Sequence, residues 1–133
     1  MSSIIDSIPD SYRRLLDLPV YGALGTIRPD DTVQVNPMWF EFDGALVRFT
    51  HTTRRQKFKN LQHNPSMSLS LIDPESPFRY LEVAGRLVDV VADPAAAFYL
   101  RLQTRYGFPS GAAPADAADR VILTMSVERF TTQ

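Results

Sequence analysis

The sequence predicts a mainly β (α+β) domain, an antiparallel barrel carrying short flanking helices. Three observations predict it. Six segments have the period of strands, most of them are joined by tight turns, and the helices between them are short, unlike those of a βαβ fold. The 133 residues fit a single domain, 1–133, with one core and little room for a second.

The elements follow in order. Ser11 to Leu18 has the pattern of a short helix, with Ser11 as N-cap, apolar Leu15, Leu16 and Leu18, and Pro19 as the stop. Val20 to Arg28 is the first strand, and Pro29-Asp30-Asp31 turns the chain. Thr32 to Phe42 is the second, Asp43-Gly44 a hairpin turn and Ala45 to His51 the third. Arg54 to His63 is a short helix ended by Asn64-Pro65. Ser66 to Ile72 alternates cleanly, with Met67, Leu69 and Leu71 against three serines. After a loop marked by Asp73-Pro74 and Ser76-Pro77, Arg79 to Val91 is a long strand with Gly85 near its middle. Asp93 as N-cap and Pro94 at the first helical position open a helix to about Tyr106, stopped by Gly107 and Pro109. Ser110 to Asp119 is a loop with a short helical turn. The alternation of Val121, Leu123, Met125 and Val127 makes the sixth strand.

Composition removes several function classes. A net charge of −1 gives no global basic field to attract nucleic acid, so any anion site must be local. The absence of cysteine excludes disulfides, thiolate metal sites and cysteine nucleophiles. Met1 to Asp10 has no basic region followed by an apolar run, and no apolar stretch approaches a membrane span. These features predict a soluble cytoplasmic protein without membrane or nucleic-acid partners.

The most informative stretch is His51-Thr52-Thr53-Arg54-Arg55-Gln56-Lys57-Phe58-Lys59-Asn60-Leu61. Four cations fall within six residues at the start of a predicted helix, where the macrodipole disfavours them. Arg55 and Lys59 also form a like-charge pair four residues apart, costing about 0.2–0.5 kcal/mol in an isolated helix. An anion at the helix start would remove these penalties, with backbone N–H groups and the hydroxyls of Thr50, Thr52 and Thr53 as further donors. A solvated basic face is the competing reading.

A second feature is a change of phase. Val33 and Val35 are apolar at odd positions, whereas Met38, Phe40 and Phe42 are apolar at even ones. The switch at Asn36-Pro37 predicts a bulge, because a one-residue slip exchanges the faces of a strand. Such a bulge next to Pro37, Met38 and Trp39 would suit a flat heterocycle, and a plain barrel corner is the alternative. Gly22 and Gly25 would permit close approach of a ring or of another backbone.

His51 and His63 are twelve apart with no third ligand at a suitable spacing, which argues against a metal site. His51 would flank the anion site, and His63 is an ordinary helix-end residue. Glu41, Glu82 and Glu128 are expected to face solvent. No nucleophile elbow, P-loop or general acid stands out, so in an enzyme a cofactor would carry the chemistry.

Taken together, Gly22 to Ile27, Val35 to Phe40 with Asp43-Gly44, Arg54 to Leu61 with Asn64-Pro65, and Arg79 to Gly85 resemble the pyridoxamine 5′-phosphate oxidase-like superfamily. Within it, they are most similar to the coenzyme F420-dependent flavin/deazaflavin oxidoreductases of the B group. The resemblance implies a six-stranded split β-barrel of the FMN-binding type and a homodimer with cofactor sites at its interface. It assigns the cofactor phosphate to Arg55, Lys57 and Lys59. Val35, Asn36, Pro37, Met38 and Trp39 would line the ring, and Thr50, His51, Thr52 and Thr53 would flank the phosphate and its polyol chain. Arg54 would meet the polyglutamate tail of coenzyme F420, and Tyr80 would reach the site from the partner subunit. The implied cofactor is coenzyme F420, with FMN as the alternative. The implied reaction is hydride transfer from reduced deazaflavin to an electron-poor double bond in a quinone, enone or tetrapyrrole. An FMN-dependent oxidoreductase and a non-catalytic cofactor binder remain the rivals. The C-terminal substrate-phosphate site of vitamin B6 oxidases is not evident.

Overall fold

A computed structural model describes residues 3–108 and 111–133. The strands are β1 Gly22–Ile27, β2 Val33–Met38, β3 Glu41–Phe42, β4 Val47–Thr52, β5 Ser66–Asp73, β6 Ser76–Ala92, β7 Arg120–Met125 and β8 Arg129–Thr132. The helices are α1 Asp10–Arg13, α2 Gln56–His63 and α3 Ala97–Arg105. All ladders are antiparallel.

The strand order is β2-β1-β5-β6-β7-β4-β3, with β8 added to β6. Among the described residues the sheet therefore has eight strands, not the six expected, and it is not closed. The terminal strands β2 and β3 do not pair. The 17-residue strand β6 joins two halves: its first part pairs with β5 and β8, its second with β7. The corner lies at Gly85, where a Cβ would stand 1.9 Å from the carbonyl oxygen of Ser126. The chain leaving β7 crosses β6 there, with Ser126 N–H donating to Arg86 O and Glu128 N–H to Ala84 O. Close backbone approach explains this glycine.

Leu24, Phe40, Phe49, Leu69, Leu71, Leu81, Leu123 and Met125 fill the interior with no exposed surface, and Leu15 and Leu16 close one end. Those two leucines follow α1 in a 3₁₀ turn, Arg14–Asp17. Pro9 rather than Ser11 precedes α1. Gly22 sits beneath the core, its missing Cβ 2.4 Å from Leu69 Cδ1, whereas Gly25 has ordinary clearance on both sides.

Three further expectations change. The β1–β2 ladder runs without a shift from Gly22 opposite Met38 to Ile27 opposite Val33, so no bulge lies at Asn36-Pro37. Gln34, Asn36 and Met38 are the less exposed set. Val33 and Val35 are 63% and 60% exposed on the outer face, so their apolar character signals no change of phase. The strand ends at Trp39-Phe40 instead. There the Tyr106 hydroxyl accepts from Phe40 N–H (3.1 Å) and donates to Val20 O (2.9 Å), replacing the missing ladder. Lastly, α3 begins at Ala97. Asp93 still caps it, accepting from Ala97 N–H (3.0 Å) and Phe98 N–H (3.1 Å), but a left-handed Ala96 intervenes and Pro94 precedes the helix. Pro109 and Ser110 lie outside the described residues.

The carboxylates of Glu41, Glu82 and Glu128 are engaged by Arg101, by Ser68 and by Arg86 and Ser126 respectively. Among the described residues no helix is long and apolar enough to cross a membrane.

Candidate functional site

Beside the open seam between β2 and β3, two cavities share a wall formed by His51 and Arg55. The smaller, about 140 Å³, is lined by Gln34, Asn36, Gln56 and Lys57 as well. The larger, about 320 Å³, adds Tyr21, Pro37, Met38, Trp39, Thr50, Tyr99 and Arg120.

The basic segment divides on folding. Arg54 is in the turn before α2, mostly exposed, and pairs with Asp119 at 2.8 Å. Arg55 is the N-cap, half-exposed, its guanidinium 3.9 Å from Asp116. Lys59 is exposed and lines neither cavity. Lys57 alone turns inward. It is 6% exposed, and its Nζ donates to the thioether of Met38 at 3.3 Å. No carboxylate among the described residues pairs with it. Burial, then the Arg55 charge, push its ammonium down to about 8.

The helix is held in register by Asn60, which is fully buried. Its amide donates to Thr26 Oγ1 (3.1 Å) and Gln34 Oε1 (2.9 Å), and its oxygen accepts from Gln56 Nε2 (2.8 Å). Asn60 thus ties α2 to β1 and β2 and sets Lys57 against Met38.

His51 continues the inward row of Val47 and Phe49 on β4, beyond the apolar core. It is 3% exposed, and its Nε2 has no partner. Burial, followed by the charges of Lys57, Arg55 and Arg120, depresses its imidazole to about 3, so it is neutral. Asn36 Oδ1 is likewise buried and unpartnered. Thr50 accepts weakly from Arg120 Nη1 at 3.5 Å.

The larger cavity has an aromatic wall. Trp39 stacks with Tyr106 (5.4 Å between centroids) and Phe108 (6.0 Å), and meets Tyr99 at a tilt. Arg120 lies over the Tyr99 ring at 4.6 Å and is held by Asp116 at 3.0 Å. Arg120, Tyr99, Tyr21, Gln34 and Gln56 were not among the residues singled out from sequence. Arg120 is far along the chain, on β7, and only the β4–β7 ladder brings it beside Thr52.

Of the residues expected at a site, Asn36, Pro37, Met38, Trp39, Thr50, His51, Arg55 and Lys57 line these cavities. Val35 points outward, and Thr52, though buried, lines neither cavity. Thr53, Arg54 and Lys59 lie on the surface. Tyr80 sits on β6 opposite Ile72, its backbone paired with Gln133, and lines neither cavity.

A family model described as pyridoxamine 5′-phosphate oxidase matches residues 8–133. The chain belongs to that family. A solved structure named F420 Reductase is 52% identical to this family member, with a TM-score of 0.90 over 93% of this chain and 98% of that one. The conserved hypothetical protein Rv2991 of Mycobacterium tuberculosis superposes with a TM-score of 0.71 at 21% identity, covering 94% of this chain and 84% of that one. General Stress Protein 26 of Bacillus anthracis gives 0.66 at 15% identity, covering 90% and 88%. At those identities the last two share the fold alone. No curated protein matches.

Proposed function

We propose that this chain is an oxidoreductase that binds coenzyme F420 in the paired cavities. The carrying observation is Lys57, a buried ammonium with a thioether as its hydrogen-bond partner and no carboxylate paired with it among the described residues. An enclosed cation of this kind calls for an anion. Arg55 stands beside it at the start of α2, where a phosphoryl group gains from backbone N–H groups as well. The unpartnered Asn36 Oδ1 accepts a hydroxyl or ring N–H. Pro37, Met38, Trp39, Tyr21 and Tyr99 offer a flat apolar wall to a ring. The lining therefore fits a polyol phosphate attached to a planar heterocycle.

The name of the 52% identical structure favours coenzyme F420 over FMN. When reduced, a bound deazaflavin supplies a hydride, here to an electron-poor double bond such as that of a quinone or enone. The chain's own part is to clamp the phosphoryl group with Lys57 and Arg55, fix the ring against the aromatic wall and keep water from it.

The same reading includes a homodimer. Val33, Val35 and Pro37 form an exposed apolar strip on edge strand β2, continuous with the cavity mouth at Pro37. A second copy would cover this strip and complete the seam.

Side-by-side calorimetric titration with coenzyme F420 and FMN, with sedimentation equilibrium of the free protein, tests the proposal. Tighter binding of coenzyme F420 by a dimer is expected. Binding of neither cofactor refutes it.

A further inference from the structure

Resting on the cofactor reading for its consequence but not for its chemistry, a second property follows from the contact between Met38 and Lys57. We infer that Met38 is a site of reversible sulfur oxidation that switches off anion binding at Lys57.

Three observations carry this. Met38 lines the larger cavity and is partly exposed, whereas Met67, which borders a separate cavity beside Gly25 and Gly85, is 3% exposed and Met125 is 0% exposed. Among the described residues, a peroxide entering the cavity walled by Trp39 and His51 meets Met38 and neither of the other two methionines. Next, the Lys57 ammonium is within hydrogen-bond reach of that sulfur, at 3.3 Å. Lastly, no carboxylate among the described residues holds Lys57 elsewhere, so it stays on the acceptor at position 38.

The step balances with hydrogen peroxide as oxidant. A sulfur lone pair attacks one peroxide oxygen, the O–O bond breaks, and an S–O bond forms. The thioether is oxidised by two electrons and the peroxide is reduced. Lys57 donates a proton to the departing hydroxide, giving water, and recovers one from the hydroxysulfonium, leaving the sulfoxide. A thioether is a weak acceptor and a sulfoxide oxygen a strong one, so the product ties down the Lys57 ammonium and intrudes on the space assigned to the phosphoryl group. Methionine sulfoxide reductases reverse the change.

The test treats the free protein with hydrogen peroxide and follows each methionine by peptide mass spectrometry. Coenzyme F420 and FMN are then titrated before oxidation, after it, and after enzymatic reduction. Met38 is expected to gain one oxygen well before Met67 and Met125. Affinity should fall about tenfold or more and recover on reduction. Met38→Leu should keep its own untreated affinity through the same peroxide exposure. Oxidation of Met67 or Met125 ahead of Met38 overturns the inference, as does unchanged affinity with Met38 fully oxidised. If neither cofactor binds the untreated protein, the proposed function and this switch both fall, and the order of methionine oxidation still decides the reactivity of the site.

Discussion

Replacing Lys57 with methionine should make the free protein more stable and the cofactor complex weaker. The two signs come from one cause. In the unfolded chain the lysine titrates at its ordinary 10.5, and in the folded protein at about 8, lowered by burial and then by Arg55. A folded value below the unfolded one means that the unfolded state holds the proton more tightly. The native state is therefore penalised at every pH below about 8, and the penalty fades as pH rises towards 10.5. The displacement corresponds to about 3 kcal/mol at most, and relaxation of the side chain reduces it to about 1–3 kcal/mol. Methionine has a similar length, no charge, and packs well against Met38. Urea denaturation at pH 7 should show Lys57→Met gaining about 1–3 kcal/mol. Calorimetry should show it losing about 1.5–3 kcal/mol of affinity for coenzyme F420, the scale of a charged hydrogen bond. Arg54→Ala and Lys59→Ala should change affinity by less than about 0.5 kcal/mol, because those side chains face solvent. Equal losses for all three would mean that the site responds to net charge rather than to one enclosed ammonium, and the argument from Lys57 would fail. A Lys57→Met variant both destabilised and fully competent to bind would refute it outright.

Four other outcomes follow from the geometry. Gly85→Ala should cost about 3 kcal/mol or more by chemical denaturation, since its Cβ meets the Ser126 backbone at 1.9 Å and neither strand can move alone. Tyr106→Phe strips the partner from Phe40 N–H and Val20 O, and a loss of about 1–2 kcal/mol is expected in the same assay. Asn60→Ala breaks one buried and two part-buried hydrogen bonds that place α2, so about 2–3 kcal/mol of stability should go together with cofactor affinity. For His51, the folded value of about 3 lies below the ordinary 6.5, so stability should decline as pH falls from 6.5 towards 3, by at most about 1.4 kcal/mol per pH unit, because the unfolded chain takes up a proton first. His51→Gln should flatten that part of the stability profile, and histidine NMR signals of the folded wild type should show no His51 titration between pH 5 and 8.

How much of this was legible depends on where each signal resides. The alternation through β5 and the Asp43-Gly44 hairpin are local patterns, and both elements form where the sequence places them. The family resemblance and the split-barrel class likewise agree with the family match. Strand β8 was missed because four residues, Arg129 to Thr132, carry too little periodicity to read. The supposed bulge at Asn36-Pro37 failed for another reason. Val33 and Val35 are apolar yet face outward, and periodicity alone does not say which face of an apolar strand is buried. Pro37 is accommodated because β2 is an edge strand. Within the basic run, composition could not show which cation turns inward, since that is decided by the Asn60 contacts with Thr26 and Gln34 on two distant strands. Arg120 and Tyr99 come from β7 and α3, and no local motif marks them.

What singles out the cavity is where satisfaction fails. Several buried polar groups elsewhere are met: Asp73 by Arg14 at 2.6 Å and Glu75 N–H at 2.9 Å, Asp93 by the first amides of α3, Asn60 by three partners. Of three buried unpartnered side-chain atoms among the described residues, Arg105 Nε lies on α3, and the other two, Asn36 Oδ1 and His51 Nε2, line the compartment that holds Lys57. Those three groups come from β2, β4 and α2, so no single strained segment accounts for them. Each alone would cost stability without return. Converging on one small space, a cation, an acceptor and a neutral imidazole are the three groups that the proposed cofactor would engage with a negative end and a hydrogen to donate. A charge run on a solvated face would show the opposite, its side chains exposed, as Arg54 and Lys59 are.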